Sequence, residues 1–522
     1  MIISQRPRFY ENKLVPVEIN PVSLIDSLRQ LRMAVHNGAD KLNANEPLHD
    51  KWNHGGMFLT FSGISLAFLR LDYQNPVLSS GNATASSFLK DALARIPCGL
   101  PDVPLIPSRL SPAGSFSPLA AVTLRILAEV AKSGWGAGER PSIAPELIKC
   151  LEDAVNLALE NPWILPHGEH RMGGDEILYG RAGLLWLLLN VRAHQYDEST
   201  TKLLSPVLAK LPNLIGVIID AGREGSKHYR QEHSDEDAHP LMYAWMEGHY
   251  GFGAAHGATG ILSVLLSCAT EEISEYISEI GETITALCKF CVAHSGHLPK
   301  ALPPRDSNEP SELVQFCHGS PAILLLLGVA FNNEQLTQGY WHPAWDQALY
   351  QATCRVWEEG LLSKGGSLCH GVSGNAWPWL LLHDAFEYKA DVINGARSRF
   401  FQNSAGLESL DESLPSRLTP DFFLSRALAF MLHSFETRPY RDDQVPSEYD
   451  YCMPDEPNSL FNGLAGNLVA WAETCAVVQA RLRRMMLSED RGSLKNDHAF
   501  QEALRCRLGF PMIGGNGARG AL

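Results

Sequence analysis

Two Cys-His-Gly triplets in this sequence contain side chains that could bind a metal ion. One begins at Cys317 and the other at Cys369, and an apolar run follows each of them. Two thiolates and an imidazole, here Cys317, Cys369 and His370, form a borderline-soft ligand set that suits zinc. Three protein ligands leave a fourth position open for a reactant, which is the arrangement of a catalytic zinc ion. The sequence therefore predicts a Zn²⁺ site formed by Cys317, Cys369 and His370.

Other interpretations of these residues stay open, because their separation along the chain matches no zinc-finger spacing. The cysteines could be buried structural residues, and the histidines could lie at helix N-termini. His318 belongs to the first triplet and is a rival ligand, although consecutive residues at a helix entrance normally point apart. Cys288 and Cys291 form a Cys-x-x-Cys pair that could be redox-active, but we favour core positions on a helix for both.

Two further residues could assist chemistry at such a metal. His256 lies in GAAHGATG, one copy of a glycine pattern that recurs along the chain and is described below. It occupies the position that Cys317 and Cys369 occupy in later copies, so we expect it to face the same cavity as these cysteines. A histidine can transfer a proton at neutral pH, and a carboxylate such as Asp175 can orient it or stabilise its charged form. The alternatives are a packing or capping role for His256 and an N-cap or surface role for Asp175. We predict His256 and Asp175 as the catalytic residues.

A recurring glycine pattern supplies the elements that must position these side chains. A small or polar pair, a glycine, two or three small residues and another glycine precede an apolar run. Such self-similarity is typical of repeat architectures. Six clear copies and one degraded copy give seven positions, which are residues 61–69, 114–126 (the degraded copy), 179–189, 256–266, 317–327, 369–382 and 461–473.

The stretches between the copies have helical periodicity, with charges opposite their apolar face. The runs after the glycines are apolar almost all round, as expected of helices buried on every side, and no alternating strand pattern is convincing. One amphipathic and one apolar helix per repeat predict an all-α fold, an α/α toroid in which seven helical hairpins form a double-layered barrel. The glycine loops would then meet at one end of the barrel, where glycine permits positive φ or close backbone approach. For Gly63 and Gly466 we prefer a packing role alone.

Composition limits the class of protein and its partners. The net charge of -15 repels phosphate backbones and no basic stripe offsets it, so no nucleic-acid partner is expected. The start of the chain has no signal-peptide pattern, and no apolar run reaches membrane-spanning length. Eleven scattered cysteines fit a reducing compartment, so we expect a cytoplasmic protein. Peripheral membrane association and the oligomeric state stay open.

The predicted domain organisation is simple. We expect a single barrel domain over residues 1–511 and a Gly-rich, disordered tail over residues 512–522. Stretches rich in Ser, Pro and Gly between the repeats are interpreted as long loops rather than as domain boundaries.

The motifs YGRAG, GAAHGATG, FCHGSPA, LCHGVSGN and SLFNGLAGN resemble those of the lanthionine synthetase C-like (LanC-like) family, and they are most similar to its eukaryotic, glutathione-binding branch. The resemblance runs from QRPRFYENKL at the start of the chain to residues 509–511. It implies a toroid with seven inner helices and zinc bound by Cys317, Cys369 and His370. Bacterial members add a cysteine thiol to dehydroalanine or dehydrobutyrine. For eukaryotic relatives the implied reaction is the addition of glutathione to such dehydrated residues in a protein or peptide.

The resemblance also implies basic residues that bind the carboxylates of glutathione. Lys364 matches one of them, and Arg6 (or Arg8) near the N-terminus matches another. A third basic residue, an arginine, has no counterpart in YDYCMPDEPNSLFNG, and Asn462 replaces an acidic residue that is usual there. These departures weaken the glutathione prediction more than the zinc prediction. Lys364 could instead pair with a helix dipole.

Two main functions follow. The first is a transferase- or lyase-type enzyme that forms a thioether bond between a thiol, of glutathione or a peptide cysteine, and a dehydrated residue; His256 would protonate the enolate with support from Asp175. The alternative is a non-catalytic adaptor that binds zinc and glutathione. A glycoside hydrolase on a similar barrel ranks last, because it needs two acidic residues where the converging slots hold Cys and His.

Overall fold

The computed structural model describes residues 6–79, 88–136, 138–233, 235–304, 313–403, 414–441, 448–487 and 491–515. Helices dominate, as predicted. In chain order they are α1 (Pro21–Asn45), α2 (Phe61–Tyr73), α3 (Asn75–Leu78), α4 (Phe88–Ala94), α5 (Leu119–Lys132), α6 (Pro145–Glu160), α7 (Arg181–Arg192), α8 (Glu198–Leu208), α9 (Leu211–Glu232), α10 (Ala258–Leu265), α11 (Thr270–Ile273), α12 (Ile277–Ala293), α13 (Ser320–Ala330), α14 (Glu334–Tyr340), α15 (Pro343–Glu359), α16 (Val372–Tyr388), α17 (Ala390–Asn403), α18 (Leu414–Arg417), α19 (Pro420–His433), α20 (Leu464–Met486), α21 (Arg491–Asn496) and α22 (His498–Arg505).

Among the described residues, seven apolar helices form a closed inner ring. They are α2, α5, α7, α10, α13, α16 and α20; each contacts the next, and α20 returns to contact α2. These are the seven helices that follow the copies of the glycine pattern. Every residue of α13 is buried, because a helix that is apolar all round is stable only when other elements cover all its faces. The predicted α/α toroid with seven hairpins is confirmed.

An outer layer of amphipathic helices surrounds this ring. Helices α4, α6, α9, α15 and α19 each pack on the inner helix that precedes them, and α12 packs on α13 and α15. Helix α1 packs on α20, which closes the outer layer across the two ends of the chain. In α6, for example, Leu147, Leu151 and Val155 are buried, whereas the charged residues of that helix lie on its outer face. The helical periodicity of the sequence therefore corresponds to this second layer.

A small antiparallel sheet was not predicted. Its strands are paired in chain order and are β1 (Ile164–His167), β2 (His170–Gly173), β3 (Ala244–Met246), β4 (His249–Gly251) and β5 (Ala301–Leu302). They lie in the segments that lead into α7, α10 and α13, so the sheet covers the end of the barrel where inner helices begin. Gly168 and Gly248 have φ of +61° and +78° in the two hairpin turns, a conformation that glycine adopts without strain.

The structure corrects the predicted start of the C-terminal tail. Met512 and Ile513 are 1% and 0% exposed, and Phe510 and Gly514 exchange backbone hydrogen bonds. These side chains are apolar and pack inside the inner ring, so the folded domain continues to Gly515. Residues 516–522 lie outside the described residues.

One helical stretch of the described residues, Glu198–Glu232, is long and apolar enough to cross a membrane by length and composition. It comprises α8 and α9, and 39% of its most apolar window is buried. In α9 the apolar residues Leu214, Ile215 and Ile218 belong to the core of the barrel. Core helices of soluble proteins have the same composition, so this single stretch is weak evidence for a membrane span.

Candidate metal centre

The structure brings together the three residues that the sequence predicted as metal ligands. One ligand atom from each of Cys317, Cys369 and His370 lies within 4.8 Å of the others. Both cysteines are buried and the histidine is half-buried. Two zinc–sulfur bonds of about 2.3 Å at a tetrahedral angle would place the sulfurs about 3.8 Å apart. The donor set and its compactness therefore fit a zinc ion.

Backbone hydrogen bonds hold the loops that carry these ligands. The N–H of Cys317 donates to the carbonyl oxygen of Cys369 at 3.2 Å, and the N–H of Cys369 donates to that of Phe461 at 2.8 Å. The series continues from Phe461 to Phe58 at 3.2 Å and from Phe58 to Ala113 at 3.1 Å. This series of hydrogen bonds joins the loops before α13, α16, α20, α2 and α5, so five of the seven inner helices begin from directly linked loops.

Two glycines show why this pattern is needed next to the ligands. Gly319 has φ of +116°, and a Cβ there would lie 1.7 Å from the carbonyl oxygen of Leu313. A Cβ on Gly253 would lie 1.9 Å from the carbonyl oxygen of Cys317. Both positions require glycine, because any side chain would displace backbone beside the ligand loop.

The two sulfurs form a coupled pair. A hydrogen bond from Cys369 lowers the pKa of Cys317 well below its usual range, against the effect of burial and with further help from His370. The same bond, together with burial, raises the pKa of Cys369 well above its usual range. Gln315 Nε2 also donates to Cys317 Sγ at 3.1 Å. The lowered pKa of Cys317 favours its thiolate, which is the form that ligates metals.

His256 has a carboxylate partner that the sequence did not predict. Its Nδ1 lies 2.5 Å from Oε2 of Glu176, which is 2% exposed. Burial works to lower the pKa of His256, but the charge and hydrogen bond of Glu176 outweigh it, with a contribution from Cys317, and the pKa is raised. The sequence feature that could have identified this partner is the pair Asp175-Glu176 before YGRAG, since either carboxylate could lie beside the histidine.

Asp175, the predicted partner of His256, has a different one. Its carboxylate accepts two hydrogen bonds from Arg181, from Nε at 2.7 Å and from Nη2 at 3.0 Å, and both side chains are buried. Burial raises the pKa of Asp175, although Arg181 opposes this shift. The expectation that Asp175 supports His256 is therefore wrong: consecutive side chains point apart here, and it is Glu176 that faces the histidine.

Two aromatic rings pack against His256. The Trp245 ring centroid in β3 lies 5.1 Å from that of His256, and the ring of His318 lies 5.7 Å from it, both nearly parallel. Burial lowers the pKa of His318 to about 4. Its Nδ1 has no hydrogen-bond partner within the described part of the chain. Since the cluster of potential ligands contains His370 and not His318, the geometry favours His370 over its rival.

The predicted glutathione-binding residues lie beside the same loop. Lys364 is exposed, and its charge lowers the pKa of Cys369 and of His318. Arg6 donates to Asp450 Oδ2 at 2.8 Å and contacts Cys452 Sγ at 3.2 Å. The N–H of Cys452 donates to the carbonyl oxygen of Ser363, the neighbour of Lys364. Arg6 therefore lies near Lys364, but it is already engaged by a carboxylate.

Arg8, the other N-terminal candidate for glutathione binding, contacts the loop before the ligands through its backbone. Its carbonyl oxygen accepts hydrogen bonds from the N–H and the Oγ of Ser363. Its guanidinium lies 4.0 Å from Glu359. The N-terminal segment is thus tied to the loop that leads to the ligands, with Arg6 nearer to the segment around Asp450.

Cys288 and Cys291 are core residues of α12. Both are 0% exposed and unpaired. Burial raises the pKa of Cys291 to about 12 and that of Cys288 well above its usual range. Because the thiol form is unreactive, these shifts favour the structural interpretation over the redox one.

Comparison with known proteins agrees with this architecture. The family model described as lanthionine synthetase C-like protein matches residues 141–412, which is half of the chain. The chain therefore belongs to the LanC-like family.

Two curated relatives are of the eukaryotic branch. The chain is 31% identical over 234 residues to glutathione S-transferase LANCL1 of Danio rerio, covering 44% of this chain and 52% of that protein. It is 27% identical over 321 residues to LanC-like protein GCL1 of Arabidopsis thaliana, covering 61% of this chain and 59% of that protein. The match thus spans a little more than half the length of each relative. Among solved structures, nisin cyclase is similar over 78% of this chain and 98% of that one. The sequence identity is 14% and the TM-score is 0.35, and no conclusion is based on this similarity.

Proposed function

We propose that this protein is a zinc-dependent enzyme that adds a thiol to dehydroalanine or dehydrobutyrine residues and forms a thioether bond. The observation that carries the proposal is the convergence of Cys317, Cys369 and His370 within 4.8 Å. A second histidine, His256, is paired with a buried carboxylate in the next loop of the same barrel end. Such an addition requires a metal that activates the thiol and a group that donates a proton. The three candidate ligands would hold the metal, and His256 would donate the proton.

Cys317, Cys369 and His370 would hold the zinc ion. When bound, zinc would lower the pKa of the thiol substrate, so that the thiolate nucleophile is present at neutral pH. The three protein ligands come from two loops joined by a direct backbone hydrogen bond, so their spacing is fixed before the metal binds.

His256 would act as the proton donor. Attack of the thiolate on the β-carbon forms a C–S bond, breaks the C=C π bond and leaves an enolate. His256 gives its Nε2 proton to the α-carbon. The proton that the thiol released to water on ionising returns to His256, so the net reaction adds the thiol's sulfur and hydrogen across the double bond. Glu176 accepts the hydrogen bond from Nδ1–H, which fixes the ring orientation and stabilises the imidazolium before transfer.

Glutathione is the thiol that we propose, with a peptide cysteine as the other source. Lys364 supports this choice, because its exposed ammonium beside the ligand loop could pair with a glutathione carboxylate. A relative whose name is glutathione S-transferase LANCL1 supports it as well. The second reactant would be a dehydrated protein or peptide. A cytoplasmic location is part of the proposal, since zinc thiolates and eleven unpaired cysteines suit a reducing compartment.

A non-catalytic adaptor that binds zinc and glutathione is the second candidate. The ion pair of Arg6 with Asp450 does not separate the two candidates, because it engages a basic group that either of them would use to bind glutathione. Asn462, in place of an acidic residue, likewise weakens the glutathione prediction in both candidates and leaves the zinc prediction unaffected.

Mass spectrometry separates the two candidates. Purified protein is incubated with glutathione and a dehydroalanine peptide, with and without a chelator, and compared with the His256→Ala and Cys317→Ala variants. The enzyme predicts an adduct of peptide and glutathione that forms faster than the spontaneous rate and is lost in the chelator and variant samples. Zinc and glutathione binding without any excess adduct, across several peptides, would establish the adaptor.

A further inference from the structure

The C-terminal segment, residues 508–515, lies inside the inner ring, where side chains of several inner helices hold it by hydrogen bonds. The backbone N–H groups of Leu508 and Gly509 each donate to one oxygen of Glu473 at 2.9 Å. Arg70 Nη2 donates to the carbonyl oxygen of Gly509 at 2.6 Å. Arg70 and Glu473 are 0% and 1% exposed and belong to the adjacent inner helices α2 and α20. Buried charges are costly unless they are hydrogen-bonded, and the backbone of the segment donates two hydrogen bonds to Glu473 and accepts one from Arg70.

Two other inner helices fix the far end of the segment. Ser267, just after α10, donates to the carbonyl oxygen of Ile513 at 3.4 Å, and Asn332, just after α13, donates to that of Gly515 at 3.0 Å. Between these anchors the chain makes a tight turn, closed by hydrogen bonds of 2.9 and 2.8 Å between Phe510 and Gly514. The turn is therefore held from four sides of the ring.

This turn presents one aromatic ring to the loops of the metal centre. Phe510 is 0% exposed and stacks on Phe316 with centroids 4.2 Å apart and planes 18° apart. Its centroid is 6.2 Å from that of Phe461. Phe316 directly precedes Cys317, and the carbonyl oxygen of Phe461 accepts the N–H of Cys369. A single side chain of the C-terminal segment thus contacts the supports of both cysteine loops.

We propose that Phe510 is a positioning residue of the metal centre, and that by holding Phe316 and Phe461 in place it sets the spacing of Cys317 and Cys369. The inference rests on the proposed zinc site. Removing a buried phenyl ring leaves a cavity that the surroundings fill only in part, so both loops would lose their common support. Residues behind the ligands affect metal affinity by fixing ligand orientation, even though they do not touch the ion.

Zinc affinity measured by competition with a chromogenic chelator tests this role in the full-length protein. Phe510→Ala is expected to weaken zinc binding about tenfold, and Phe510→Leu to weaken it less. The matched control is Phe423→Ala, which removes an equally buried ring from α19, where it packs on Phe386 and Phe422. The control should lower the thermal midpoint to a similar degree and keep wild-type zinc affinity.

A cobalt-substituted sample gives a second readout, because the thiolate-to-cobalt absorption depends on the spacing of the sulfurs. It should change in the Phe510 variants and stay unchanged in Phe423→Ala. A folded Phe510→Ala protein with wild-type zinc affinity and spectrum would overturn the inference. If that variant does not fold, an unchanged Phe510→Leu protein would overturn it equally. A wild-type protein that binds no zinc would instead refute the proposed function.

Discussion

Oε2 of Glu176 lies 2.5 Å from Nδ1 of His256, and this contact joins the loops that lead into the adjacent inner helices α7 and α10. The carboxylate is buried, whereas the side chain of the histidine is 20% exposed. One ring nitrogen is therefore held by a hydrogen bond to the protein, while part of the side chain remains exposed. Such a pair orients a histidine for proton transfer.

The first prediction concerns this pair. Glu176→Gln should reduce the rate of adduct formation about 10- to 100-fold, because a neutral amide neither stabilises the imidazolium nor selects the Nδ1–H tautomer. Zinc content, measured by plasma mass spectrometry, should stay at the wild-type level. Glu247→Gln is the matched control, since Glu247 is an exposed glutamate between β3 and β4 that pairs with Arg171. Equal rates in the two variants would remove Glu176 from the mechanism.

The second prediction concerns the metal ligands. Replacing any one of Cys317, Cys369 and His370 with Ala should reduce bound zinc from about one equivalent to a small fraction, because two remaining protein ligands hold the ion poorly. Cys288→Ala is the control, since that cysteine is equally buried but lies outside the cluster. It should retain zinc and lose stability by only about 1 kcal/mol. Full zinc content in a ligand variant would argue against the site.

The third prediction assigns Asp175 a structural role. Asp175→Ala leaves the buried guanidinium of Arg181 without its carboxylate, so the free energy of unfolding should fall by about 3–5 kcal/mol. Urea denaturation followed by circular dichroism measures this loss. The double variant with Arg181→Met should recover part of it, because no buried charge is then unpaired. An Asp175→Ala protein with normal stability but no activity would restore the catalytic assignment.

The fourth prediction tests the glutathione site. Lys364→Ala should raise KM for glutathione about threefold to tenfold and leave kcat unchanged, as expected when an exposed ion pair to the substrate is lost without any effect on the transition state. Lys289→Ala, which removes an exposed lysine of α12, should change neither constant. Asp450→Asn should lower KM, because it releases Arg6 from its ion pair. If KM stays unchanged in both Lys364→Ala and Asp450→Asn, Lys364 and Arg6 do not belong to the thiol site.

The fifth prediction is a pH dependence of stability. His239 is 4% exposed, its ring nitrogens have no partner among the described residues, and burial, with a smaller effect of Arg230, lowers its pKa to about 4. The folded state thus keeps the ring neutral while the unfolded chain binds a proton below pH 6.5, so stability is complete above pH 6.5 and falls as the pH drops towards 4. At pH 5 this group should cost about 2 kcal/mol.

His239→Phe should reduce that loss, because Phe252 and Phe290 already surround the ring and no proton can bind. The comparison is the thermal midpoint at pH 7.5 and at pH 5. His498→Phe, at an exposed position, should keep the wild-type difference between the two values. An unchanged difference in His239→Phe would show that His239 does not contribute.

The fold and the grouping of the three candidate ligands could be predicted from the sequence alone. Helical periodicity and the glycine pattern are properties of short segments, and they recur often enough to define seven equivalent hairpins. Because Cys317 and Cys369 occupy the same slot of neighbouring repeats, closure of the ring was sufficient to bring them together. His370 was preferred over its rival His318 because consecutive residues at a helix entrance normally point apart, and the family resemblance implied the same choice.

Contacts between loops far apart in the chain were decided by the tertiary structure. Asp175 and Glu176 are adjacent, and only the packing of α7 against α10 determines which of them faces His256. The sheet consists of strands of two to four residues, too short to show an alternating pattern, and forms because the barrel aligns their loops. The Gly-rich composition after Pro511 concealed the burial of Met512 and Ile513, since the ring that encloses them is assembled from all seven repeats. Local sequence specifies helices, whereas the direction of a side chain in a loop depends on what the rest of the chain places beside it.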